Sequence, residues 1–483
     1  MAASVEVSRT SALPLVTWGG TAASAAIALG VTRAGTAGGA SPPDGPLALW
    51  RPDAEHPAGW AVLALLGLTL LALAFLQLYR VVRAHAVGVR TVAVIAAWWS
   101  APMLVAPPIL SLDVWSYFAQ GTMVHHGLDP YSYGPSLLGP GTTLDAVSPV
   151  WRDTPAPYGP LMLGTLWLVA LVSAGHMSVA ALLLRLLVVL SVVAVSVLVV
   201  RIAPSEDRAL ALTLVAANPL VVVHVIGGAH LDALLGLLAV VTIWSVRKRW
   251  YLVAALAAAT AFSIKLPGIL LIGYLLAHLV RQRVPVHRLL GAVVTTGAVV
   301  IGYAWLVPEG WGWLGAMDVP GRVRIYWAPA SLVGGLVYLV TGAELAFTDA
   351  LALARSLVAA GGAITIAVLL WRAGAEPSWR RAGALVGAAL LTLACSGPVM
   401  HAWYVVWGGV LLAACAGPRS RRWAVVLGAA LCFSAVPDQL GGTVWSVLAV
   451  PVCVVVVVAD AIRTVVPPRV TRWVLTRPAV DAA

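Results

Sequence analysis

The sequence predicts an all-α, polytopic membrane protein, a single bundle of about fourteen transmembrane helices with one large outer loop. Three observations carry this expectation. Of 483 residues 61% are hydrophobic and only 10% charged, where a soluble domain carries about 25% charged residues. A water-soluble fold of this length cannot hide that much apolar surface. The apolar residues form repeated stretches of about 18 to 25, the length at which a helix crosses the hydrocarbon of a bilayer with its backbone polar groups satisfied internally. Finally, basic residues recur at alternate loops, as in chains threaded back and forth across a membrane.

Taken in order, the first apolar stretch (residues 11–32) follows a short leader carrying only Glu6 and Arg9, which reads as a signal anchor rather than a cleaved peptide. A Gly- and Pro-rich stretch at 37–46 reads as loop. Clear spans follow at 58–79, 91–110, 209–226, 231–246, 251–264, 268–280, 289–307, 350–371, 382–396, 402–416, 423–436 and 443–462. The basic clusters between them, with Arg9, Arg463 and a tail at 464–483, place 22 of the 30 Lys and Arg residues on one side. By the positive-inside rule that side is the cytoplasm, and both termini lie there. Thirteen of the 19 carboxylates fall on the opposite side. Keeping this alternation requires two further apolar segments, 158–176 and 328–342, to give no net crossing. Each is therefore a candidate re-entrant helix, a form tolerated only where it lines a protein-enclosed cavity. Residues 1–483 are read as one membrane domain of the plasma membrane.

A net charge of +11 would suit nucleic acid if it formed one patch or arm, but here it is spread over helix ends and topology explains it. Cys395, Cys415, Cys432 and Cys453 all fall in apolar spans, without the spacing of a metal site or a disulfide framework.

The outer side carries the unusual residues. Its loop at 111–161 is far longer than a connector needs, and its aromatic and carboxylate content suits a lid or substrate platform. Asp113 opens it, followed at helical spacing by Tyr117 and Gln120. Asp113 is either the N-cap of that helix or a general base whose pKa is raised by a dehydrated rim. Asp153 either pairs with Arg152 or meets substrate, and Tyr158 follows it. Asp129 and Asp145 sit in turn contexts. A second cluster, His224, His230 and Asp232 around Gly227 and Gly228, suits a sugar contact or a helix end better than a metal, since no third ligand stands at established spacing. His401 and Trp403, with Tyr404 and Trp407, read as an aromatic belt or as a sugar platform. Four outer cations, Arg152, Lys265, Arg322 and Arg324, are left unexplained by topology; they either pair with Asp153, Glu309 or Asp318, or bind a phosphate. Arg185 and Arg355 lie inside apolar spans and either snorkel or pair within the bundle.

The motifs DVWSYFAQG (113–121), GLDPY (127–131), WRDTPAPYGPL (151–161), HVIGGAHLDALL (224–235) and IKLPG (264–268) resemble those of the actinobacterial polyprenol-phosphomannose-dependent α-1,6-mannosyltransferases of lipomannan assembly, in the GT-C superfamily. The resemblance covers most of the membrane domain and is strongest from about residue 110 to 270. The family often carries Asn where Leu231 stands here. The resemblance implies a GT-C-like fold, a polyprenyl-phosphate mannose donor, an α-1,6-mannan (lipoglycan) acceptor and inversion at the anomeric carbon. It assigns Asp113 as the base, matching the superfamily's carboxylate in the first large outer loop. Lys265, Arg322, Arg324 and Arg152 would then bind the donor phosphate. Tyr117, Gln120, Asp153, Tyr158, His230, Asp232, His401 and Trp403 would contact sugar or acceptor. Cations at the leaving group remove the need for a metal or other cofactor. The alternatives are a transporter or flippase of a lipid-linked sugar, whose working residues would lie near the bilayer midplane, and a GT-C enzyme for another sugar.

Overall fold

Chain breaks at proline decide how the long apolar stretches fold. In a computed structural model, the described residues are 13–35, 50, 52–53, 55–319, 325, 328–342, 344–436 and 444–466. Among them the regular structure is entirely helical. The helices are α1 (Leu13–Ala34), α2 (Pro57–Arg83), α3 (Val89–Val105), α4 (Asp113–His125), α5 (Pro160–Ser173), α6 (Met177–Ile202), α7 (Arg208–Ala216), α8 (Asp232–Arg247), α9 (Tyr251–Ile264), α10 (Ile269–Arg281), α11 (Val286–Ala304), α12 (Pro329–Val340), α13 (Phe347–Ala375), α14 (Trp379–Ser396), α15 (Val406–Cys415), α16 (Pro418–Leu431) and α17 (Val444–Val465).

Five of these, α1, α2, α6, α11 and α13, are long and apolar enough to cross a membrane on their own. A sixth crossing is made if α7 and the π-helix Val221–Gly227, bent by 53° at their junction, count as one broken span. Apart from α17, with 22 residues, the rest of the bundle is built mostly from shorter pieces, so length and composition alone do not deliver the fourteen crossings expected. The bend follows from Pro219, which cannot donate a helical hydrogen bond and disfavours helical backbone at Asn218. Asn218 fills the gap itself: Oδ1 accepts the Leu220 N–H at 3.0 Å and Nδ2 donates to the Leu214 carbonyl at 3.3 Å. Similarly, the 91–110 stretch ends its helix at Val105, just before the Pro107–Pro108 pair.

The two segments expected to re-enter are both short helices. With 14 residues, α5 is only about 21 Å long. It lies beside α4 and turns at Ala174 and Gly175, both with positive φ, into the full-length α6. The 12-residue α12 packs on α13.

A single apolar core runs through most of the bundle. Its outer surface is also apolar: along α6, Leu182, Leu186, Leu190, Val193 and Val197 are all exposed. A stripe of this size is far more than a soluble monomer shows, and hydrocarbon is the solvent that suits it.

Candidate active site

Two irregular segments, 106–112 and 227–231, are tied together at one end of the bundle and set the position of the site. The buried Arg185 of α6 is the tie. Its guanidinium donates to the carbonyls of Ile226 (3.3 Å), Gly227 (3.0 Å), Leu104 (3.4 Å) and Ala106, oxygens that the broken helices leave without a helical partner. The Gly227 carbonyl also accepts the Ile109 N–H at 3.1 Å. Both segments then lead into helices whose first residues are acidic, Asp113 of α4 and Asp232 of α8. Arg185 thus pairs within the bundle, with backbone rather than with a carboxylate, and Arg355 also reaches a carbonyl, that of Pro398, at 3.5 Å.

The cavity at this end is lined by Asp113, Ser116, Gln120, Trp151, Tyr158, Lys265, Trp313, His401, Tyr404 and Trp407, with apolar residues between them. Asp113 is the only carboxylate and Lys265 the only cation among its described lining residues. Leu112, not Asp113, occupies the N-cap of α4, and it makes no side-chain cap. The capping reading of Asp113 therefore has no geometric support. Its carboxylate is partly exposed to the cavity, with a side-chain exposure of 21%, and lies 3.6 Å from the Nδ1 of the wholly buried His230. Burial pushes the Asp113 pKa up to about 6 against the pull of nearby Lys265, and the charge on Asp232 raises it further.

Lys265 reaches the same cavity because the LPG sequence after it ends α9 and leaves its backbone extended. Its ammonium meets Asp232 Oδ1 at 2.9 Å. The same oxygen accepts the Trp407 Nε1–H at 2.6 Å. The rings of Tyr404, Trp407 and Tyr158 surround Nζ, with centroids at 4.3, 5.1 and 5.7 Å, a cation–π cage. Tyr158 is fixed there by Gly159, whose N–H donates to the Ile264 carbonyl at 3.0 Å. A Cβ at Gly159 would come within 2.2 Å of the Ser263 carbonyl oxygen, so only glycine permits this approach. Behind the wall, Trp403 stacks between His230 (3.6 Å) and His401 (4.4 Å).

On α4, Ser116 and Gln120 share a face with Asp113 and are nearly fully buried. Ser116 Oγ and Gln120 Oε1 have no hydrogen-bond partner among the described residues, an arrangement that a ligand hydroxyl would satisfy. Tyr117 packs edge-on against Tyr158 at 5.6 Å.

The expected site residues separate accordingly. Asp113, Gln120, Tyr158, Lys265 and His401 line the cavity, while Tyr117, His230, Asp232 and Trp403 support its walls. Two are placed elsewhere. The guanidinium of Arg152 is spent on the Val147 and Asp145 carbonyls of its own loop, each at 3.0 Å, because the chain turns there without helical partners for those oxygens. Asp153 is exposed outside the cavity, without an ion pair to Arg152. Arg322 and Arg324 lie outside the described residues. Asp129 makes the expected turn, accepting the Tyr131 N–H at 2.8 Å, and His224 is held by the Cys432 carbonyl at 2.9 Å. Ser116, Trp151 and Trp313 line the cavity without having been singled out by the sequence, and Tyr404 and Trp407 line it although the sequence assigned them no contact of their own. Only the spacing of Tyr404 and Trp407 offered a signal, and an aromatic belt explains that equally well.

Two family models match the chain: the N-terminal domain of alpha-(1->6)-mannopyranosyltransferases over residues 17–281 and the MptB C-terminal domain over 328–463. An alpha-(1->6)-mannopyranosyltransferase A of Corynebacterium glutamicum is 32% identical over 50% of this chain and 53% of its own length. A probable alpha-(1->6)-mannopyranosyltransferase of Mycolicibacterium smegmatis is 32% identical over 64% and 62%, and an alpha-(1->6)-mannopyranosyltransferase A of Mycobacterium tuberculosis is 30% identical over 72% and 69%. The matched stretch thus spans between about half and two thirds of these relatives. No solved structure matches the chain. All the cavity-lining residues named from Asp113 to Lys265 fall within the first matched domain and those from His401 to Trp407 within the second, and the chain belongs to the alpha-(1->6)-mannopyranosyltransferase family.

Proposed function

We propose that the chain is an inverting mannosyltransferase that moves mannose from a polyprenyl-phosphate mannose to a hydroxyl of an α-1,6-mannan acceptor. The observation that carries this is the pairing of one carboxylate and one caged cation in a single cavity, beside unpartnered hydroxyl-binding groups. A displacement with inversion needs one base for the incoming hydroxyl and one positive charge for the departing phosphate. It does not need the second carboxylate of a retaining enzyme.

In this reading Asp113 takes the proton of the acceptor hydroxyl as its oxygen attacks the anomeric carbon. The bond from that carbon to the phosphate oxygen breaks, and the polyprenyl phosphate leaves with the electron pair. Lys265 faces the growing negative charge; its ammonium has three N–H groups, so the bond to Asp232 leaves others for phosphate oxygens. Arg322 and Arg324 are proposed to join it there. Ser116, Gln120, Tyr158 and His401 would hold sugar hydroxyls, and the half-buried ring of Trp151 would stack on a sugar face, while the buried Trp313, edge-on to Phe262 at 5.0 Å, shapes the wall. Two facts weigh against a transporter: the buried charge of Arg185 is occupied by carbonyls, and Asp113 and Lys265 meet at one end of the bundle rather than at its middle.

In this proposal the cavity opens on the outer face of the plasma membrane and both termini lie in the cytoplasm, a reading supported by the positive-inside count. A cysteine at the exposed Ser136 should then react with an impermeant reagent from outside, and one at the exposed Ser420 should not; labelling of Ser420 from outside would reverse the orientation. For the activity, the purified protein is incubated with polyprenyl-phosphate mannose and short α-1,6-mannosides, and products are read by mass spectrometry. Extension by one hexose supports the proposal; acceptance of a different lipid-linked sugar alone, or no extension by a folded protein, overturns it.

A further inference from the structure

A second cavity, of about 440 Å³, lies at the opposite end of the helices that carry Asp232 and Lys265. Three hairpin turns converge on it, those joining α8 to α9, α10 to α11 and α13 to α14. They bring Arg247, Arg249, Arg283 and Arg288, together with Glu376, into its lining. None of the four arginines has an ion-pair partner among the described residues. Glu376 is turned to its own chain, where Oε1 accepts the Ser378 N–H at 3.1 Å. Arg247 lies over the Trp379 ring at 4.5 Å and Arg288 over Tyr251 at 6.0 Å, so two guanidinium planes are held by aromatic faces. His278, which also lines the cavity, has a buried Nδ1 without a hydrogen-bond partner among the described residues.

Topology accounts for arginines at these helix ends but not for their convergence. Like charges within a screening length repel, and free surface arginines would spread into solvent. Four facing one concavity with a single unpaired carboxylate leave an excess positive charge that an anion would neutralise. A guanidinium binds phosphate oxygens bidentately, and His278 adds a further polar contact. The surroundings of the cavity indicate where such an anion comes from. Leu252, Val280, Val286 and Leu290, on the three helices bordering it, are all more than half exposed. Hydrocarbon chains attached to the anion would lie against them.

We propose that this cavity binds the phosphate headgroup of an anionic membrane lipid, with its acyl chains on the exposed faces of α9, α10 and α11. Basic pockets between membrane helices bind anionic headgroups by this chemistry. The site is distinct from the cavity of Asp113 and does not depend on what reaction occurs there, since α8 alone separates the two by about 24 Å.

The test uses the delipidated full-length protein in detergent, with binding of phosphatidylglycerol, phosphatidylcholine and inorganic phosphate read by native mass spectrometry and by the shift in thermal unfolding. Phosphatidylglycerol should bind and stabilise, whereas phosphatidylcholine and millimolar phosphate should not. The Arg249→Ala/Arg283→Ala/Arg288→Ala variant removes three exposed, unpaired side chains, so its fold should persist. It should bind phosphatidylglycerol about 100-fold more weakly, given about a kilocalorie for each surface cation. A control variant, Arg83→Ala/Arg90→Ala, removes charge elsewhere and should bind normally. Equal losses in both variants would make the effect general electrostatics and overturn the site. Inorganic phosphate that binds as tightly as the lipid would assign the cavity to a soluble anion instead.

Discussion

Lys265 and Asp232 form an ion pair of 2.9 Å in which the carboxylate is almost wholly buried and the ammonium nearly so. The pair joins the start of α8 to the end of α9 and faces the cavity that holds Asp113. Removing one member strands the other charge, which commonly costs about 3 to 5 kcal/mol. Asp232→Ala and Lys265→Ala should each lower thermal stability markedly, and the Asp232→Leu/Lys265→Met double variant should lose less than the sum of the single losses. Strict additivity in that cycle would show that the two residues do not act as a pair.

Gln120 makes a separable forecast. Its Oε1 is buried without a partner, so Gln120→Leu removes an unsatisfied polar group and should leave stability unchanged or slightly raised. If Gln120 holds a sugar hydroxyl, the same variant should lower kcat/KM for mannosyl transfer by about tenfold, the worth of roughly one hydrogen bond. A loss of stability with unchanged kinetics would make Gln120 a packing residue.

Arg185 should be the most sensitive position away from the cavity. Arg185→Met would take the guanidinium from four carbonyls; those of Ile226 and Gly227 keep the N–H groups of Ala229 and Ile109, but those of Leu104 and Ala106 would lose a buried donor, at about 1 kcal/mol or more each. Arg185→Lys keeps the charge but not the fork that spans two segments, and should recover only part of the loss. Thermal unfolding of the two variants, compared with the native chain, measures this.

How far the sequence revealed these features depends on how local their causes are. The membrane class, most helix positions and Asp113 follow from apolar run lengths, charge alternation and a recognisable motif, all properties of a few neighbouring residues. Lys265 stood out because a cation between two apolar runs needs a partner. That the partner is Asp232, 33 residues earlier, depends on the packing of α8 against α9. The role of Arg185 was hidden for the same reason. Its partners are backbone oxygens where α3 and the π-helix Val221–Gly227 end, and a carbonyl carries no mark in a sequence. Arg152 misled because its use is equally local and backbone-directed. Ser116 was hidden because a small hydroxyl in an apolar helix usually bonds its own backbone.

The strongest test falls on Asp113. It is the single carboxylate among the described residues that line the cavity, and its pKa is raised to about 6, with burial as the main cause. A raised pKa favours the protonated acid, so the basic form grows as pH rises through about 6. Activity limited by this group should therefore fall as pH is lowered from 7 to 5 and level off above 7. Asp113→Asn preserves shape and the hydrogen bond between its N–H and Ser111 Oγ, and it removes a carboxylate whose charge burial disfavours. The variant should thus fold at least as well as the native chain and still bind the lipid donor. Its transfer rate should nevertheless drop by about 100-fold or more, the usual worth of a general base. The pH dependence near 6 should vanish from whatever activity remains, which a merely structural role would not produce. Near-native transfer by a folded Asp113→Asn protein, with the pH profile unchanged, would exclude Asp113 as the base and direct attention to Asp232, the nearest other carboxylate at the site.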